Sequence, residues 1–129
     1  MNLSDNGGCF ACGPNNPIGL HLRFRFEGDE YVTEYVPAPE HQGFAGITHG
    51  GLLATVLDEV MARGLWAQGE RVVTAELKVS LRQPARVGEA LTIRGRLLAR
   101  RGRLFHCEAR AVRGDGTLVA VAEGKLLRV

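Results

Sequence analysis

Hydrophobic and polar positions alternate along most of this chain, and one long run with a helical period interrupts the alternation. Leu20, Leu22, Phe24 and Phe26 alternate with His21, Arg23, Arg25 and Glu27, which predicts a half-buried strand. Gly28-Asp29 signals a tight turn, and Tyr31 to Val36 is rich in β formers, so the two segments predict a hairpin that Pro37 and Pro39 terminate. Residues 40–48, EHQGFAGIT, read as an irregular lead-in. From His49 to Gln68, HGGLLATVLDEVMARGLWAQ, apolar residues recur at Leu52, Leu53, Val56, Leu57, Val60, Met61 and Leu65. That wide stripe, with Gly69 as a stop, predicts a helix of about five turns.

Beyond the helix the period returns to two. Val73, Ala75, Leu77, Val79 and Leu81 share one predicted face, opposite Thr74, Glu76, Lys78, Ser80 and Arg82. Leu91, Ile93, Gly95, Leu97 and Ala99 define a second strand. Phe105, Cys107, Ala109 and Ala111 line the inner face of a third, so Cys107 reads as a small buried hydrophobe. Thr117 to Arg128 is apolar on both faces near Leu118 to Ala122, as a central strand would be. The turns between these strands are short, which predicts antiparallel neighbours. A single α+β domain over residues 1–129 follows, with a curved antiparallel sheet wrapping a helix too apolar for one exposed face.

Charge and composition exclude more than they propose. Lys+Arg number 16 against 14 Asp+Glu, so nothing demands nucleic acid or a membrane surface as partner. No stretch approaches the roughly 20 apolar residues of a membrane span, and MNLSDNGG has no signal-peptide character. Three cysteines do not make a disulfide framework, so a reducing cytoplasm is the expected setting. Cys9 and Cys12 form a single CxxC in the turn-rich segment GGCFACGPNNPIG. Zinc would need two more ligands, and His21, His41, His49 and His106 are scattered, so the expectation is a compact loop with packed thiols, no metal and no cofactor.

The start of the helix is where chemistry is expected. Gly50 and Gly51 cost roughly 1 kcal/mol each relative to alanine if helical. They also let another group approach an N-terminus rich in unpaired N–H donors. Glu59 has Arg63 four positions on and reads as a surface pair. Asp58 has no such partner: the flank Gly51, Thr55, Asp58, Ala62 is a stripe of small side chains carrying one carboxylate, which is costly unless hydrated or partnered.

These residues resemble the hotdog-fold acyl-CoA thioesterases of the PaaI-like and thioesterase-superfamily-member type. HGG opens the helix at His49, the aspartate nine positions on is Asp58, and a threonine on the next strand is matched by Thr74 in VVTAELKVSLRQP. CFACGPNNPIGL and EHQGFAGITHGG extend the likeness over nearly the whole chain. The resemblance implies an enzyme that hydrolyses an acyl-CoA to free acid and coenzyme A. In it the Gly50 N–H polarises the thioester carbonyl, Asp58 acts as nucleophile or general base, and Thr74 helps place the water. His49, Gly51, Gln42 and Thr55 are the implied substrate-binding residues, His49 chiefly by bracing the loop into the helix. Where some relatives carry an asparagine six positions before that histidine, this chain has Gly43, with Gln42 as the nearest amide. Arginines 82, 86, 94, 96, 100, 101 and 103 read equally as contacts for coenzyme A phosphates or as a solvated sheet face. The resemblance further implies a homodimer or a dimer of dimers. The competing readings are a hotdog hydratase or dehydratase and a non-catalytic acyl-CoA-binding module.

Gly50 and Asp58 lie eight residues apart, about 12 Å along a helix. One carbonyl cannot meet both groups of the same helix, so the expected site lies between two antiparallel helices of a two-fold dimer.

Overall fold

The computed structural model describes residues 1–129. Strands β1 (Phe24–Glu27) and β2 (Glu30–Tyr35) precede a 3-10 turn at Pro39–His41 and the helix α1 (Gly50–Ala67). Strands β3 (Val72–Leu81), β4 (Leu91–Arg101), β5 (Leu104–Arg113) and β6 (Leu118–Arg128) follow. The helix has His49 as N-cap and Gln68 as C-cap, the two ends of the periodic run. All six strands pair antiparallel in one sheet, in the order β1-β2-β4-β5-β6-β3. The apolar stripe of α1 packs across β2 to β6, with Val56, Leu57 and Val60 fully buried against Ile93, Phe105, Ala111 and Leu126. One long helix enclosed by one antiparallel sheet is the hotdog arrangement. No helix is long and apolar enough to cross a membrane.

Three local departures from the alternation have physical causes. The first strand begins at Phe24 rather than Leu20. The Leu20 and Leu22 N–H groups donate to the Phe10 and Ala11 carbonyls, and His21 sits at φ 53°, outside strand conformation. Residues 20–23 therefore tie the N-terminal loop to the core, and Leu22 is still buried. The link from β3 to β4 is not a hairpin: β3 lies on the outer side of β6, and residues 82–90 carry the chain back to the middle of the sheet. The third departure bears on the site. A register shift between Thr74 and Glu76 reverses the expected faces at the start of β3. Val72 is buried and the Thr74 side chain points to the helix. Beyond the shift Leu77, Val79 and Leu81 keep the expected helix-side face, Leu77 and Leu81 exposed at the free edge of the sheet. An extra residue in one strand of a pair switches which side chains face inward, and simple alternation cannot register it.

The helix sits close to the sheet because the sheet presents glycine beneath it. A Cβ on Gly95 of β4 would lie 2.9 Å from Val60 Cγ1 and 3.4 Å from the Val60 backbone. Gly95→Ala is therefore expected to destabilise the protein by about 1–3 kcal/mol through overpacking. Urea unfolding should show a lower midpoint at an unchanged slope.

Candidate active site

The N-terminus of α1 has its donors allotted unequally. The His49 ring accepts the Gly51 N–H at Nδ1, 2.9 Å away. The Leu52 and Leu53 N–H groups both donate to the His49 carbonyl. Gly50 is the exception: its N–H donates to no group of the chain. Because Nδ1 accepts, the neutral ring carries its proton on Nε2. The backbone of His49 is held from behind, since its N–H donates to the His41 carbonyl and His41 Nδ1 in turn accepts the Ala38 N–H. His49 is thus a capping and bracing residue. Gly51 has its N–H committed, which leaves the single free donor at Gly50.

The other expected contacts at this end are local. Gln42 accepts the Gly46 N–H through its side-chain oxygen at 2.8 Å and shapes the entry loop. Thr55 donates to the Gly51 carbonyl one turn back. Thr48, immediately before the cap, buries a hydroxyl oxygen that makes no hydrogen bond, and no motif in the sequence marks it. A side chain at Gly50 would meet Leu81 Cδ1 at 2.7 Å, so the helix start rests on the far end of β3.

Two turns into the helix, the Thr74 hydroxyl donates to Asp58 Oδ1 at 2.6 Å. The flip of β3 at its bulge makes this possible. Burial raises the Asp58 carboxyl above its ordinary range; the Thr74 hydrogen bond opposes this and the neighbouring Glu59 adds to it. A partly desolvated carboxylate with one hydroxyl partner and no cationic partner is a stronger base than one at the surface. The structure brings Asp58 and Thr74 together and leaves Gly50 at the other end of the same stretch of helix.

Glu59 departs from the expected surface pair. It is 9% exposed, with the Cys9 thiol donating to Oε2 at 3.2 Å and Arg63 Nε 3.6 Å from Oε1. Turn propensity places the CxxC in a loop but does not say that the loop folds onto the helix. Cys12 and Cys107 are not built as nucleophiles: burial, then Glu59, push the Cys12 thiol far up, and burial pushes Cys107 up to about 11. Most of the arginines proposed for phosphate are engaged: Arg94 with Glu27 and Glu30, Arg96 with Glu108, Arg100 with Glu70. Arg103 donates to the Arg128 carbonyl.

Residues 45–120 match the family model of the thioesterase superfamily, a span holding the capped glycines, Asp58 and Thr74. The chain belongs to the thioesterase superfamily. No curated protein matches it. Solved structures of the superfamily share the architecture. Protein RHA08564, a thioesterase superfamily protein, is 24% identical with a TM-score of 0.88 over 94% of this chain and 60% of that one. This chain thus spans 60% of that protein's length. A phenylacetic acid degradation-related protein from Ralstonia eutropha JMP134 is 27% identical, with a TM-score of 0.75 over 84% of this chain and 85% of that one. A hypothetical thioesterase from Streptococcus pneumoniae TIGR4, solved with coenzyme A, is 17% identical, with a TM-score of 0.78 over 84% and 85% of the two chains.

Proposed function

We propose that the protein hydrolyses an acyl-CoA thioester at a site shared by two subunits. Asp58 and Thr74 of one subunit face the free Gly50 N–H of the partner subunit. The observation that carries this reading is the short Thr74–Asp58 hydrogen bond on a partly buried, otherwise unpartnered carboxylate. The Streptococcus pneumoniae thioesterase adds support. It binds coenzyme A, and it was solved in two alanine variants, of an aspartate and of a threonine sixteen positions apart. Asp58 and Thr74 have the same spacing of 16. The thioester carbonyl accepts the Gly50 N–H, which stabilises the oxyanion as it forms. Asp58 attacks the carbonyl carbon or takes the proton from a water that does, and Thr74 holds the carboxylate in place.

Strand geometry supports the sharing. The edge strand β1 is 4 residues long, whereas β3 presents a free edge of 10 residues with Leu77 38% and Leu81 55% exposed. A long apolar edge invites pairing with another chain. Gly50 rests on Leu81 at one end of β3 and Asp58 is tied to Thr74 nearer the other. Those ends are about 23 Å apart in extended chain. A two-fold axis beside Leu77 lays one copy's Leu81 end against the other's Thr74 end. That brings Gly50 of the partner subunit to Asp58. A dimer of dimers would extend this unit without changing the site, and a reducing cytoplasm suits three thiols.

Short, long and aromatic acyl-CoAs, screened for release of the coenzyme A thiol, test the activity. Turnover of at least one class is expected; binding of acyl-CoA with no release of thiol would instead mark a non-catalytic binding module. On the best substrate, Thr74→Val should lower kcat by about 10–100-fold with KM little changed. That corresponds to a lost hydrogen bond to a charged group of roughly 1.5–3 kcal/mol. Thr74→Ser should restore most of the rate.

A further inference from the structure

We propose that Cys9, Cys12 and Glu59 form a zinc site that pins the N-terminal loop to the flank of α1. Cysteine and histidine alone do not complete such a site in this chain; the third donor is a carboxylate delivered by the helix. The two thiol sulfurs and a Glu59 oxygen all lie within 4.8 Å of one another. Tetrahedral zinc, with bonds of about 2.3 Å to sulfur and about 2.0 Å to carboxylate oxygen, places such donors roughly 3.5–3.8 Å apart. Side-chain adjustment of about an ångström closes the set.

The loop is already built for it. Gly13 donates its N–H to the Cys9 carbonyl at 2.8 Å, and Asn15 donates to Gly7 at 2.9 Å. A Cβ at Gly13 would collide with the Cys9 nitrogen and the Gly7 oxygen, so this tight return needs glycine after the second cysteine.

Glu59 supplies the independent argument. A carboxylate buried to this depth ordinarily gathers strong donors, because desolvating a charge without them is costly. Here it has one thiol hydrogen bond and an arginine at 3.6 Å. A cation among the three donors supplies the missing compensation. Charge balance agrees: zinc displaces one proton from each thiol to solvent. Two thiolates and a carboxylate around the dication then leave a single negative charge, which the adjacent Arg63 offsets. A cleft lined by Asp5, Cys9, Glu59 and Arg63 opens to solvent, so water can enter as the fourth ligand. A Cys9–Cys12 disulfide fits less well, since it removes the thiol donor and strands Glu59 further.

The site is separate from the Asp58 reaction and is tested without any substrate. The full chain, reduced, is incubated with zinc chloride, desalted and analysed for metal; one zinc per chain is expected. Cobalt(II) should give thiolate charge-transfer absorption and the visible bands of a tetrahedral ion. Cys9→Ser and Cys12→Ser should each abolish the cobalt spectrum. Glu59→Gln should weaken binding by at least about 100-fold, the upper range for loss of a mere supporting group. Zinc should raise the melting temperature of the wild type and not of Cys9→Ser. The proposal is overturned if folded wild type with titratable thiols keeps no more zinc than Cys9→Ser. It is equally overturned if mass analysis shows Cys9 and Cys12 joined as a disulfide under conditions where zinc is available, or if folded Glu59→Gln binds as tightly as the wild type.

Discussion

Asp58→Asn is expected to leave a folded protein that has lost most thioester hydrolysis, a fall of roughly 10²–10⁴ in rate. Folding should survive because the change removes a charge that burial disfavours: the Asp58 carboxyl is raised first of all by desolvation. An amide of the same shape needs no such compensation, and its oxygen still accepts the Thr74 hydroxyl. Catalysis should not survive. An asparagine side chain neither takes a proton from water near neutral pH nor attacks a carbonyl as a carboxylate does. Substrate binding is expected to change little, so the loss should fall in kcat. Near wild-type turnover by well-folded Asp58→Asn protein would remove the carboxylate from the mechanism.

The helix and most of the sheet were readable because burial imposes a period. The apolar stripe from Leu52 to Leu65 fixes α1, and its caps fall on the residues that end the run, His49 and Gln68. Phe105, Cys107, Ala109 and Ala111 line the inner face of β5 as their alternation implies. The reading failed where the backbone breaks its own period. The bulge after Thr74 puts Val72 and Thr74 on the helix side. Leu77, Val79 and Leu81 beyond it also face that side as alternation expects, so only the residues before the bulge were misplaced. The position of β3 beyond β6 was likewise invisible, since strand order depends on long-range pairing and not on turn length.

At the candidate site, Asp58 stood out as a carboxylate without a local partner, and its contact with Thr74 agrees with that. The division of labour among the first N–H groups did not show in the sequence. Gly50 and Gly51 look alike as letters; only the His49 ring, folded back onto Gly51, distinguishes the free donor from the committed one. Glu59 shows the opposite failure. Its i,i+4 arginine supplied a complete local explanation, while its burial comes from Cys9, 50 positions away in the chain.

In the proposed mechanism one thioester is worked on by Gly50 of one subunit and Asp58 of the other. Each group has to be essential on its own. Gly50→Val crowds Leu81 and blocks the carbonyl position, so this variant is expected to be about as inactive as Asp58→Asn, since losing an oxyanion donor alone costs roughly 10²–10³ in kcat. The decisive measurement is the activity of the two dead variants co-expressed at equal levels, with heterodimer content verified. Random assortment makes half the dimers heterodimers, and each has one site free of both substitutions. Activity should return to about a quarter of wild type. If each site lay within one chain, every site in the mixture would carry a lesion. Verified heterodimer with no activity above the single variants would contradict the shared site.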